Sequence, residues 1–185
     1  KDLDTLVGSA KSFMPEGLEK DISHQEMADV ISFVQSSGSP WKRFDGNHPV
    51  SIQPDEDGTL ILPATAGAIH GPSLIFEAKH QNLGFWSSEK DYAVWTLQLP
   101  SSGTYEVEVE YACENSTAGN PIRFSTGTRV LTANVPGTGT WDDYRKWKAG
   151  SIDLSRGTVQ FVVSAAKRPE PHLIDLRSIR LRQVP

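Results

Sequence analysis

From Tyr92 to Cys113 the chain alternates apolar and polar residues with period two. Ala93, Trp95, Leu97 and Leu99 share one face and Thr96 and Gln98 the other; further on, Tyr105, Val107, Val109 and Tyr111 oppose Glu106, Glu108 and Glu110. Such alternation marks half-buried strands. Pro100-Ser101-Ser102-Gly103 between the halves supplies turn chemistry. The stretch therefore predicts an antiparallel hairpin with one wet face, in a sheet stacked on a second sheet. Similar patterns predict strands at residues 59–62, 74–77, 92–99, 104–113, 122–125, 129–135, 146–154, 158–164 and 173–182, separated by short turns bearing Gly, Pro, Asn or Ser. The last of these changes parity, with Ile174 and Leu176 on one phase and Ile179 and Leu181 on the other, which predicts a β-bulge near Arg177-Ser178. The fold class is mainly β, and regular short strands with such turns indicate an all-β sandwich or barrel.

The pattern before it is helical. Leu3, Leu6, Val7 and Ala10 recur at helical spacing, and Ser23-His24-Gln25-Glu26 is a capping box that opens a second helix lined by Met27, Val30, Ile31 and Val34. Gly38 and Pro40 end it. From Ser36 to Gly58 the chain is rich in Ser, Gly, Pro, Asp and Asn, with Trp41 and Phe44 as the only large anchors, and residues 39–58 read as a linker. The predicted organisation is thus a helical segment over 1–38, a linker over 39–58 and a sandwich over 59–185.

Composition narrows the function classes. At 185 residues and a net charge of −5, without a basic tract, the chain is unlike a nucleic-acid binder, which sets Lys and Arg against phosphates. No apolar run is long enough to span a bilayer, and the first ten residues lack the regions of a signal peptide. The single cysteine, Cys113, lies on the apolar parity of its strand and reads as a buried, inert thiol. The five histidines are dispersed, and no nucleophile elbow, P-loop or dinucleotide fingerprint occurs. Asp142 and Asp143 are adjacent, unlike a glycosidase pair spanning a cleft, and the Glu106, Glu108, Glu110 stripe reads as a solvated face. The chain reads as non-catalytic.

Ser12-Phe13-Met14-Pro15-Glu16-Gly17-Leu18-Glu19, with the capped helix after it, resembles the tail of a c-type cytochrome domain of the kind found in the haem-binding domains of large bacterial proteins. The resemblance implies that Met14 is an axial haem ligand in the intact parent. With no Cys-x-x-Cys-His motif, this chain does not itself attach haem c.

Residues 71–181 resemble the β-sandwich carbohydrate-binding modules of families 6 and 35 and the C-terminal accessory domain of α-L-fucosidases. The resemblance rests on Asn82-Leu83-Gly84-Phe85-Trp86, on Gly103-Thr104-Tyr105 and Tyr111-Ala112-Cys113, on Thr138-Gly139-Thr140-Trp141-Asp142-Asp143-Tyr144 and on Leu173-Ile174-Asp175-Leu176-Arg177. It implies an antiparallel β-sandwich of jelly-roll type with a ligand cleft at one end, between the loop before residue 92 and the loop bearing Trp141. A sugar offers C–H faces ringed by hydroxyls, so the site wants aromatic planes and polar rims. Phe85, Trp86, Trp141 and Tyr144 supply rings; Asn82, Glu89, Asn120, Asp142, Asp143 and His172 supply polar groups. Trp86 and Trp141 also fit a second role, as lids on the core. Trp95, on the inward parity, and Trp147 read as core.

The resemblance further implies a structural Ca²⁺, with Asp175 at the matching acidic position, although Leu62-Pro63-Ala64-Thr65-Ala66 stands where the family brings a Glu. Asp55-Glu56-Asp57-Gly58 reads as a solvated turn. The implied function is a carbohydrate-binding module of a periplasmic or extracellular multidomain protein, whose partners are a polysaccharide or oligosaccharide and the parent's other domains. A protein-docking sandwich without sugar binding is the alternative.

Overall fold

The structure is a computed structural model describing Ser23 and residues 25–27 and 41–184. Met14, the first predicted helix and most of the second lie outside the described residues. What is described of the second helix is its capping box: Ser23 Oγ accepts from the Glu26 amide at 3.2 Å while Glu26 Oε2 accepts from the Ser23 amide at 2.8 Å. Those bonds to Ser23 hold the Glu26 carboxyl below its ordinary range.

Two six-stranded sheets make up the rest. The strands are β1 (Ser51–Ile52), β2 (Leu60–Pro63), β3 (Ala68–His70), β4 (Ile75–Glu77), β5 (Asn82–Gly84), β6 (Tyr92–Leu99), β7 (Gly103–Ala112), β8 (Pro121–Thr126), β9 (Arg129–Asn134), β10 (Arg145–Leu154), β11 (Gly157–Ala165) and β12 (Asp175–Gln183). One sheet runs β1-β6-β11-β8-β9, with β3 also on β6; the other runs β10-β7-β12-β5-β4, with β2 also on β12. All pairings are antiparallel except β1 with β6.

The strand at Tyr92–Leu99 stands where the alternation places it, but the predicted hairpin does not form. Strand β6 pairs with β11, β1 and β3 in one sheet, whereas β7 pairs with β10 and β12 in the other. The turn after Leu99 carries the chain across the sandwich, and the turn after Leu154 does the same between β10 and β11. The Arg156 amide donates to Ser102 Oγ at 2.8 Å, tying the two crossings together. Trp95, Leu97, Val107 and Val109 are fully buried in the one core cluster between the sheets. Alternation records only that each strand has an inward face, which a hairpin partner and a strand across the core satisfy equally.

Trp95 is wholly buried and its Nε1 donates to Pro63 O at 2.8 Å. Burial of such a side chain contributes roughly 2–3 kcal/mol. Trp147 packs on the core from the edge strand, its ring 5.7 Å from that of Tyr111. Cys113 is buried, and desolvation pushes its thiol up. The bulge expected near Arg177-Ser178 is present, as a register shift between Leu176 and Ser178.

The glutamate stripe on β7 is not an isolated run of like charge. Arg182 and Arg180 stand opposite Glu106 and Glu108 on β12, while Lys148 and Lys146 stand opposite Glu108 and Glu110 on β10. Lys148 reaches Glu106 at 3.0 Å and Arg177 reaches Glu110 at 3.6 Å. Opposite charges set across strands each contribute a few tenths of a kcal/mol, roughly up to 1.

Residues 41–58 are not a linker, because Trp41 begins the compact unit that carries the sandwich. Asn47 is buried, and its Nδ2 reaches the carbonyls of Ala64, Thr65 and Gly67 at 3.0–3.1 Å. Lys42 bridges Ile69, and β1 extends the first sheet. A polar composition without apolar periodicity concealed a segment held by backbone and amide bonds. Replacement of Asn47 by Ala, which leaves those carbonyls short of a donor, is expected to lower stability by about 2–3 kcal/mol, read as a fall of roughly 5–10 °C in Tm; a linker residue would leave the melting curve unchanged.

Candidate functional site

At one end of the second sheet, Glu77, Phe85, Trp141, His172 and Asp175 line an open cleft of about 220 Å³. Each wall is positioned by a buried neighbour. Trp86 is fully buried, donates from Nε1 to Asp91 O at 3.1 Å and accepts from the Leu173 amide at 2.9 Å. Asp91, equally buried, accepts from the amides of Ser73, Leu74 and Ser88 at 2.9–3.1 Å. Between this anchor and β5 the backbone turns sharply, and Phe85 adopts φ +59 with 55% of its surface exposed. A bulky residue in the left-handed region costs on the order of 1–3 kcal/mol and is held only where its surroundings dictate it. Here the strain turns an aromatic ring outward.

Trp141 arrives on the loop between β9 and β10. Thr138 fastens that loop to the end of β7: its hydroxyl accepts from the Cys113 amide at 2.9 Å and its own amide donates to Cys113 O at 2.8 Å. The Trp141 indole meets the His172 ring edge-on at 6.2 Å. His172 is placed in turn by Asn120, whose Nδ2 donates to the carbonyls of Thr117, Glu170 and His172 at 2.9–3.1 Å and whose Oδ1 accepts from the Glu170 amide at 3.1 Å.

The cleft has an acidic side. A Cβ on Gly84 would collide with Glu77 Oε2 and lie 2.9 Å from Asp175 Oδ1, so the bare glycine makes room for two converging carboxylates. Burial, with repulsion from Glu77 and Asp142, pushes the Asp175 carboxyl up to about 7. Tyr144, half-buried beside it, is pushed up to about 12, first by burial and then by Asp175. Arg177, projected by the β12 bulge, lies 3.4 Å over the Tyr144 ring. Among the described residues, His172 Nδ1 and Asn82 Oδ1 are buried and have no hydrogen-bond partner.

The structure thus brings Phe85, Trp141, His172 and Asp175 into one cleft, with Asp142 close enough to Asp175 to repel it. Two expected ligand contacts are corrected. Trp86 is a wholly buried anchor beneath Phe85, and Asn120 spends its amide on the loop that carries His172. Asn82 is fully buried and donates to Glu77 Oε2 at 3.0 Å, and Tyr144 has one face covered by Arg177. Asp143 Oδ2 accepts from the Thr140 amide at 3.3 Å, which shapes the Trp141 turn, and Glu89 is exposed outside the cleft lining. Glu77, which lines the cleft, and Gly84, against which Glu77 and Asp175 converge, are not among the site residues expected from the sequence. Their only sequence signal is that both stand at strand ends beside the Asn82–Phe85 turn.

A calcium ion fits the acidic side poorly. Hard cations collect several oxygens, but the buried amide here turns its N–H toward Glu77, and no group of three or more His, Cys, Asp or Glu stands in a metal-ligating arrangement among the described residues.

Solved structures reproduce this fold. A family 35 carbohydrate-binding module from Clostridium thermocellum superposes with a TM-score of 0.56 at 20% identity, covering 68% of this chain and 98% of that one. The C-terminal family 6 module of a marine laminarinase from Zobellia galactanivorans gives 0.56 at 22% identity, covering 68% and 99%. The family 6 and 35 likeness read from the sequence is therefore a likeness of fold. Among curated proteins, an exo-β-D-glucosaminidase of Amycolatopsis orientalis is 33% identical over 95 residues, half of this chain and 8% of that enzyme. No protein-family model matches the chain. No helix among the described residues is long and apolar enough to cross a membrane.

The raised Asp175 sets a pH dependence. Because the folded protein holds this proton up to about 7 while an unfolded Asp releases it near ~4, the native state binds more protons in between. Its contribution therefore destabilises the fold as pH rises from about 4 to about 7 and then levels off. The titratable groups that interact with the carboxyl are Glu77 from β4, Asp142 and Tyr144 from the loop before β10, and Cys113 at the end of β7. Urea denaturation across that window is expected to show the Asp175→Asn variant gaining on the wild type as pH rises; parallel pH profiles would refute the assignment.

Proposed function

We propose that this chain is a non-catalytic carbohydrate-binding module that holds a larger protein, outside the cytoplasm, on a polysaccharide. The observation that carries the reading is Phe85: an aromatic residue kept in the left-handed region with its ring exposed, in the same cleft as Trp141. Water gives no reason to maintain such strain, whereas a sugar C–H face stacked on the ring does. His172 and the carboxylates of Glu77 and Asp175 supply the polar rim that hydroxyls require. The fold likeness to modules named for carbohydrate binding, and the sequence likeness to part of an enzyme named for glucosaminide cleavage, point the same way.

A groove lined by Ser87, Arg168, Pro169, Glu170 and Pro171 continues from the cleft across His172. It offers a following sugar unit a place to lie, which favours an oligosaccharide over a free monosaccharide. The docking-sandwich alternative needs the same rings covered within the assembled parent, and the openness of Phe85 favours the sugar. The Ser12–Glu19 segment supports a parent that also carries haem c; a Cys-x-x-Cys-His motif in the parent's preceding sequence would agree with this, and its absence would remove the redox reading.

Affinity electrophoresis against polysaccharides, with a glycan array, tests the module. The wild type is expected to be retained by at least one glycan, and Trp141→Ala and Phe85→Ala each to weaken retention by about tenfold, the ratio that ~1.4 kcal/mol of ring contact represents. Both variants should keep the wild-type circular dichroism. Failure of the wild type to bind any glycan at millimolar concentration would reject the reading.

A further inference from the structure

We propose that the cleft selects a sugar bearing a free, protonated amine, received between Glu77, Asp142 and Asp175 beside the rings of Phe85 and Trp141. The inference rests on the carbohydrate-binding reading and specifies its ligand.

The charge balance of the site argues for it. Two carboxylates, Glu77 and Asp175, line one side of a cleft whose other walls are aromatic, Asp142 stands close enough to repel Asp175, and none of the three is in an ion pair among the described residues. Arg177, close at hand, is turned to the Tyr144 ring and to Glu110. A neutral hydroxyl would leave the mutual repulsion of the acids in place, a uronic acid would add to it, and an ammonium group cancels it.

Hydrogen-bonding capacity agrees with the charge. An ammonium brings three donors and no acceptor, and beside the acids one acceptor lacks a donor: Asn82, fully buried, contacts Glu77 through Nδ2 and has no partner for Oδ1. His172 Nδ1 on the cleft wall is also without a partner. The missing side chain at Gly84 lets Glu77 Oε2 and Asp175 Oδ1 close in on the same point of the backbone, so that the two acids converge. Aromatic faces beside the acids suit a cation as well as a sugar ring.

Titration calorimetry on the full chain tests the proposal with matched ligands: trimers of β-1,4-linked glucosamine, N-acetylglucosamine and glucose, the monosaccharide pairs galactosamine with galactose and mannosamine with mannose, and a glucuronic acid disaccharide with and without calcium. In at least one matched set the free amine is expected to bind about tenfold tighter than its neutral counterpart, as a charge-assisted hydrogen bond in place of a neutral one provides. The advantage should shrink with added salt and with pH raised above the amine pKa. Asp142→Asn, on an exposed loop, and Glu77→Gln should each bring the amine-to-hydroxyl affinity ratio toward one. Equal or tighter binding of the neutral or N-acetylated sugar, or preference for the uronic acid with calcium, would overturn the amine inference and leave the carbohydrate reading standing. No binding by any of these ligands would overturn both.

Discussion

Each sheet has one apolar face, and those faces leave water only by covering each other. That constraint organises the molecule. Strands β6 and β7, contiguous in sequence, lie in opposite sheets, and β10 and β11 repeat the crossing. The inward residues Trp95 and Leu97 share a single buried cluster with Val107 and Val109. Because neighbours in sequence face each other across the core, the turns between them gather at one end, where Ser102 and Arg156 join. The cleft instead forms among the connections that follow β5, β7, β9 and β11, where the loops are longer and each is fastened by a buried polar residue.

Those fastenings are the second tier of the structure. Asp91, Thr138 and Asn120 each exchange several hydrogen bonds with backbone groups, and each secures one wall: Phe85 through Trp86, Trp141 through the Thr138 turn, and His172 through its own carbonyl. A buried polar group left without partners costs more than a satisfied one contributes, so such nodes hold their loops to a single arrangement. The site can then carry what is locally unfavourable, a strained Phe85 and three crowded carboxylates, because the cost is met by the surrounding fold.

Much of this was legible in the chain. Period-two alternation located nine of the strands to within a residue or two, the parity switch located the bulge at Arg177, and the capping box at Ser23 and Glu26 is formed. The short strands β1, β3 and β5 carry no run of alternating or β-branched residues long enough to mark them. The 41–58 segment escaped because Asn47 and Lys42 hold it through backbone carbonyls, which leave no apolar pattern. At the site, the loops bearing Phe85, Trp141 and His172 were identifiable from residue type, and Phe85 and Trp86 were both expected among the ligand contacts, with a role as core lid left open for Trp86 and Trp141 alike. Backbone conformation assigns Trp86 to the core and Phe85 to solvent.

The sequence by itself determined which residues face inward, where the strands run, that the fold is a sandwich and which loops carry rings and acids. These follow from local spacing, and spacing survives whatever the chain later pairs with. Only the tertiary structure decided that β6 and β7 lie in different sheets, that Glu77 and Asp175 converge over Gly84, and that Asn120 and Trp86 support the site rather than touch its ligand. Those outcomes depend on residues distant in the chain arriving at one place, and alternation carries no record of the partner a strand will meet.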